Sequence, residues 1–338
     1  MSEDVFEASL TDEMLSNVRG SSIVSGQGGG TAFYSPLDRS FEALKEWMTA
    51  PPFRVERVWN LLRGAYDIHQ HSGPSPHTER LFDELDLAIQ GCYIGLGGIV
   101  FKEQYLTSTR SARIVQRVVD DWADQHNKKR IEIFGGICLN WAMGGLNPEA
   151  VVASYRIGGK YVWMPSVDSN HHRRVVNQGV GQGIDLIDED GNVVPAAMQI
   201  LELVAQSDMV LGIGHQSTRE RLALVRAAVK LGIQRIEITH VNYGPTWLTP
   251  EQCKMFADLG AYVAIYALGG SYFKWDDAMA IYNAVGPERI VLASDRGHIT
   301  HGNPIDGLRE LIVNFMQSGV PDEHIKLMCQ TNAHNLLH

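Results

Sequence analysis

Cysteine is scarce and scattered in this chain. Cys92, Cys138, Cys253 and Cys329 are the only four, and no two form a C-x-x-C pair. That spacing excludes a disulfide framework and a cysteine-rich zinc site, and predicts reduced, mostly buried thiols. Basic charge is also in deficit. The chain has 29 Lys and Arg against 39 Asp and Glu, and its densest basic runs are Lys128-Lys129-Arg130 and Arg173-Arg174. The net charge of -10 offers no electrostatic footprint for a phosphate backbone, so no nucleic-acid partner is expected. Long hydrophobic runs are missing as well. No stretch approaches the ~20 apolar residues that span a bilayer, and the acidic N-terminus lacks the apolar centre of a signal peptide. No membrane partner and a cytoplasmic location are the expectations. Finally, no G-x-G-x-x-G follows the first strand-like run, which counts against an open dinucleotide-binding sheet.

What is present is a long alternation. The 338 residues are 44% hydrophobic, enough for one large domain with a well-buried core. Residues 1–35 are rich in Ser, Gly and acidic side chains, including Gly26, Gly28, Gly29 and Gly30. They read as an arm suited to wrapping a neighbouring subunit, which points to a homo-oligomer. Residues 36–64 read as a helical extension, so residues 1–64 are set apart from a core domain of residues 65–338.

From Ala65 onward, β-branched runs alternate with helical segments. The runs begin at Ala65, Ile94, Arg130, Tyr161, Met209, Arg235, Ala261 and Arg289. Helix starts are marked chemically: Asn147-Pro148-Glu149 reads as an N-cap with Pro at the first helical position. Ser217–Glu220 and Thr249–Gln252 read as capping boxes. The rhythm breaks between residues 166 and 195, where Asp190-Gly191 predicts the turn of a β-hairpin inserted after the fourth strand. Eight strands, each followed by a helix, predict an α/β fold of the closed (β/α)8 TIM barrel type.

Such a barrel points all its strand ends at one face, where active sites are built. Six residues occupy that kind of place: His69, His71, Lys102, His215, His240 and Asp295. In the extended His69-Gln70-His71, residues two apart point the same way, so both imidazoles can reach one ion. His215 and His240 each end an apolar run, and imidazole suits Zn as well as Mn, Fe or Ni. Asp295, in Val-Leu-Ala-Ser-Asp, can ligate a metal and accept a proton, or simply cap a helix. Agreement among four strand ends is the signal, since any one alone has a bland explanation.

His69-x-His71 after strand one, His215 after strand five, His240 after strand six and Asp295 after strand eight resemble the amidohydrolase superfamily. The resemblance spans about residues 65–338 and includes Asn332-Ala333-His334-Asn335-Leu336-Leu337, similar to a closing Asn-x-x-x-Leu-Leu pattern. It is nearest to poorly characterised amidohydrolase-like proteins. It implies a barrel with one or two divalent ions, zinc first, at its mouth. Binuclear relatives bridge their metals with a carbamylated Lys or a Glu from strand four, but here that strand ends Trp163-Met164-Pro165-Ser166. Lys102, closing strand two after Ile99-Val100-Phe101, is the substitute: either it carries a bridging carbamate or it stays cationic and binds an anionic substrate group.

The expected activity is metal-dependent hydrolysis of an amide, lactone or related ester of a small molecule. Asp295 is the expected general base and acid, with the metal, helped by His240 or Arg296, polarising the carbonyl. Lys102, Asn140, His298, Arg296 and Tyr266 are the substrate-contact candidates. Trp141, Asp168, His171, His172 and His301 line the same mouth with weaker claims, and Trp163 reads as barrel packing. Non-oxidative decarboxylation on a single ion is the alternative within this architecture. A catalytically silent barrel serving as a binding subunit is the third reading, and the retained histidines count against it.

Overall fold

The computed structural model describes residues 56–176, 183–268 and 275–338. The expected N-terminal arm and most of its helical extension, residues 1–55, lie outside the described residues. The chain enters through α1 (Glu56–Leu62), followed by β1 (Tyr66–Gln70), α2 (Glu84–Ile94), β2 (Gly98–Phe101) and α3 (Thr109–Gln125). Next come β3 (Glu132–Phe134), β4 (Gly136–Cys138), α4 (Pro148–Arg156), β5 (Tyr161–Trp163) and a short α5 (Asn170–Val175). The second half runs α6 (Pro195–Ala205), β6 (Val210–Ile213), α7 (Thr218–Lys230), β7 (Ile236–Ile238) and α8 (Pro250–Asp258). It ends with β8 (Tyr262–Tyr266), α9 (Trp275–Val285), β9 (Ile290–Ala293), α10 (Pro304–Gln317), α11 (Asp322–Lys326) and α12 (Asn332–Leu337).

All strand pairs are parallel, in the order β1-β2-β3 and then β4 through β9. β3 and β4 are two pieces of the barrel's third strand, separated at Gly135. A side chain at Gly135 would strike the Ser108 backbone that leads into α3, so this close approach needs glycine. The circle closes between the first and last strands. Asp295 N–H donates to the His69 carbonyl at 3.0 Å, and His71 N–H donates to the Arg296 carbonyl at 2.9 Å. The buried Asp67 carboxylate adds a third tie by accepting the Ser294 N–H at 2.9 Å. The result is the (β/α)8 barrel that the alternation predicts.

Period-two burial divides the core into two layers. Ile68, Val100, Cys138, Tyr161, Trp163, Val210, Ala264, Tyr266, Val291 and Ala293 fill the barrel interior. Their neighbours Ile99, Phe101, Val162, Leu211, Ile213, Ile236, Ile238, Val263 and Ile265 face the helices. In the interior, Tyr161 and Trp163 stack with ring centroids 4.6 Å apart. Glycines make room for them: a Cβ at Gly136 would sit 2.6 Å from Tyr161 Cβ, and one at Gly212 would collide with the Trp163 ring.

The predicted caps form. Asn147 accepts from the N–H groups of Glu149 and Ala150, and both capping boxes are reciprocal. The Asp190-Gly191 turn carries a single antiparallel bridge, Ile187 to Val193, so the inserted hairpin is minimal. The four cysteines are buried and free. At the far end Asn332 donates to the carbonyls of Pro287 and Ile290, both at 2.7 Å, which explains the Asn in the closing pattern as a clasp on the last strand. Among the described residues no helix is long and apolar enough to cross a membrane.

Candidate metal centre

A bulge in β1 shapes the mouth of the barrel. Asp67 pairs with Ile99 but Gln70 pairs with Phe101, so β1 holds one residue more than β2 over this stretch. Such an insertion re-aims side chains at a strand end, and here it brings His69 to the side on which Ile68 already packs. At the other side of the seam, Asp295 adopts a left-handed backbone with φ of 49°. His240 does the same with φ of 32°. Non-glycine residues held there cost about 1–3 kcal/mol each and cluster at functional sites.

His69, His71 and Asp295 offer ligand atoms that all lie within 4.8 Å of one another. Asp295 Oδ1 is 3.1 Å from His71 Nε2 and 3.4 Å from His69 Nε2. The opposite ring nitrogens decide what these atoms carry. His71 Nδ1 lies 3.0 Å from the Lys102 carbonyl, and a carbonyl only accepts, so the proton of a neutral His71 is on Nδ1. His69 Nδ1 lies 2.9 Å from the Tyr266 hydroxyl, which itself donates to the Glu237 carboxylate. The tyrosine oxygen is therefore free to accept from His69. Both Nε2 atoms are then bare lone pairs aimed at a carboxylate oxygen, and His69 Nε2 is buried without a hydrogen-bond partner.

Imidazolium does not resolve this crowding. Burial pushes both histidines well below their ordinary pKa, with Lys102 and neighbouring cations adding to the effect. Burial raises Asp295, opposed by His240 and Lys102. Two neutral imidazoles and a carboxylate converging on one point make a donor set for a divalent ion. Tyr266 with Glu237 and the Lys102 carbonyl supply the outer hydrogen bonds that fix ligand tautomers in such sites.

His215 and His240 form a neighbouring pair. Their Nε2 atoms are 2.9 Å apart, His215 Nδ1 is 2.8 Å from His172 Nδ1, and His240 Nδ1 is 3.2 Å from Thr246 Oγ1. The His240 ring lies 6.1 Å from that of His69. Burial lowers His215 strongly, and lowers His240 to about 3. Ser169, the N-cap of α5, ties His215 to His172: its hydroxyl donates to the His215 carbonyl at 2.6 Å and accepts the His172 N–H at 3.1 Å.

A cavity of about 510 Å³ opens over the centre, lined by His71, Lys102, His172, His215, His240 and Asp295 together with His77, Tyr243, His298 and His301. His298 reaches it with Nδ1 held 2.8 Å from Thr78 Oγ1. Other expected contacts are turned to the frame. Asn140 braces the third and fourth strand ends, donating to Gln104 O and Ser166 Oγ and accepting from Ser166 N–H. Arg296 binds Glu310 and the Leu268 carbonyl, at 2.5 and 2.7 Å. Asp168 pairs with Arg173, and His171 faces the Pro245 carbonyl. Trp163 is packed inside the barrel, as expected.

Sequence reasoning missed Glu237 and Arg80. Glu237 had a readable signal, because a carboxylate between Ile236 and Ile238 must point into the barrel. Burial pushes it up to about 7.

Solved structures with the same fold belong to amidohydrolase superfamily members. An amidohydrolase from Pseudomonas aeruginosa aligns with a TM-score of 0.58 at 11% identity, over 85% of this chain and 98% of that one. A phosphotriesterase homology protein from Escherichia coli gives 0.52 at 17% identity, over 82% and 99%. A dihydroorotase gives 0.53 at 14% identity, over 81% and 69%. At such identities the likeness establishes the fold alone. No curated protein sequence matches this chain. The profile of a family of unknown function, DUF6282, matches residues 64–264.

Proposed function

The chain belongs to the DUF6282 family of unknown function, and we propose that it is a metal-dependent hydrolase of an amide, lactone or related ester bond in a small molecule. The observation that carries this reading is the convergence of the His69 and His71 Nε2 atoms on the Asp295 carboxylate, with His69 Nε2 buried and unpartnered, an arrangement that a shared divalent ion makes favourable. His69, His71 and Asp295 would hold the ion, with His215 and His240 beside them. The donor set suits zinc, and also Mn, Fe or Ni. A bound divalent ion supplies Lewis acidity, acidifying water and polarising a carbonyl.

The chain's own groups do the rest. Asp295 accepts a proton from the attacking water and returns it to the leaving group. Its left-handed backbone and the hydrogen bond from its N–H to His69 hold the carboxylate over the histidines. His240 stands across the cavity, neutral at pH 7, and can donate a hydrogen bond to the developing oxyanion. His298 and Lys102 face the substrate, while Tyr266, Asn140 and Arg296 keep the frame in register.

The test is turnover of an amide and lactone panel by protein loaded with Zn or Mn. Asp295→Asn should lower turnover by about 10²–10⁴-fold in preparations that still contain the ion. Full turnover by that variant with metal bound would defeat the assignment. Release of CO2 from carboxylated aromatics, with no hydrolysis of the panel, would move the protein to the decarboxylase reading.

A further inference from the structure

Among the described residues, two buried cations near the cavity make no ion pair. Lys102 follows Val100 and Phe101 at the end of β2 and shares the inward parity of Val100. It is 2% exposed, it lines the cavity, and its Nζ stands 5.6 Å from the centre of the Trp163 ring. Among the described residues its ammonium forms no ion pair. Asp295, the only acidic residue among the described ones that line the cavity, is directed at His69 and His71, and it and the buried Glu237 act on Lys102 through space, neither at ion-pair distance.

Arg80, in the loop between β1 and α2, is 4% exposed. Its Nη2 reaches Ser75 Oγ at 3.3 Å, and its Nε and Nη1 have no partner. Glu103, Asp295 and Tyr105 act on it through space, none at ion-pair distance. Buried cations are rarely left this way, because desolvation is repaid only by a counter-charge. The Trp163 π-face attracts the Lys102 side chain from one side. A divalent ion at the histidines would add still more positive charge to the same enclosure.

We propose that the cavity takes an anionic substrate, an amide or lactone that carries a carboxylate beside its scissile carbonyl, with the carboxylate seated on Lys102 Nζ. Arg80 strengthens this attraction through its field, without contact. The proposal rests on the hydrolase reading for the identity of the scissile bond, and on the cavity alone for the charge. Lys102 is thus a specificity residue: it selects molecules by charge before any bond is broken.

Benzoate and benzamide test it, being nearly equal in shape and different in charge. Calorimetric titration of the metal-loaded protein should show benzoate binding at least about tenfold tighter than benzamide. Lys102→Gln should remove most of that preference with metal content unchanged, and Lys102→Arg should restore it. Equal binding of the two probes by the wild-type protein would overturn the proposal. So would a Lys102→Gln protein, still folded by thermal melt, that keeps the preference. A ¹³CO2-labelled carbamate on Lys102 would overturn it too, since that group is anionic and repels benzoate. Metal uptake by the same samples separates the two claims. A protein that binds no divalent ion yet prefers benzoate in a Lys102-dependent way would sink the hydrolase reading and leave the anion site standing.

Discussion

Replacing Tyr266 with Phe tests the logic of the centre without touching a ligand. The hydroxyl joins the Glu237 carboxylate to His69 Nδ1, 2.9 Å away, inside the barrel. Without it His69 loses the acceptor that keeps its proton on Nδ1, so Nε2 is a free lone pair only part of the time. Loss of such an outer hydrogen bond lowers metal affinity by about 10–100-fold, which is about 1.4–2.7 kcal/mol. The Glu237 carboxylate loses its donor as well, so folding stability should fall by roughly 1–3 kcal/mol. The assay is competition with a chromogenic chelator for Zn, paired with denaturant melts of metal-free protein. A ¹⁵N spectrum of the histidines should show His69 shifting from one tautomer toward a mixture. Unchanged zinc affinity and an unchanged His69 signal, alongside lower stability, would mean that the hydroxyl only packs the barrel. The reasoning about ligand tautomers would then be wrong.

Glu237→Gln changes the pH dependence of stability. Burial raises Glu237 from an ordinary value of 4.5 to about 7 in the folded protein. Between those limits the unfolded chain has released the proton while the folded chain keeps it, so this group makes stability fall as pH rises from about 4.5 to about 7. Metal-free Glu237→Gln should therefore show a flatter denaturant midpoint across that window, and an identical slope would refute the burial argument. Gly212→Ala places a Cβ against Trp163 in the filled interior. A loss of about 1–3 kcal/mol is expected, read as a lower melting temperature, and a neutral result would show that Trp163 has room to move.

Much of this fold was legible because its signals are local. Asn147-Pro148, Ser217 to Glu220 and Thr249 to Gln252 each fix a helix start through a side chain and its own nearest backbone. The start and end of α3, Thr109 and Gln125, follow from its amphipathic repeat. The break at Gly135 was not legible, since it depends on the Ser108 backbone, in the loop after the neighbouring strand β2, lying against it. α5 was missed for a related reason: six residues with His171, His172, Arg173 and Arg174 carry no apolar face, and the Ser169 cap is their main mark.

In the site, strand-end position was enough to bring His69, His71 and Asp295 together, while their protonation was not readable. It depends on Tyr266 and Glu237, residues remote in sequence that only barrel closure brings to His69. Arg80 was invisible for the same reason, because a charged residue in a loop normally faces water and this one is covered.

The most direct test of the account is a metal titration of metal-free protein by calorimetry, repeated on His71→Ala and Asp295→Ala. The wild-type chain should take up at least one Zn or Mn ion per chain and release it to a strong chelator, and each substitution should weaken the uptake by at least about tenfold. A wild-type protein that binds no divalent ion, or variants that bind it as tightly as the wild type, would contradict a metal centre at His69, His71 and Asp295.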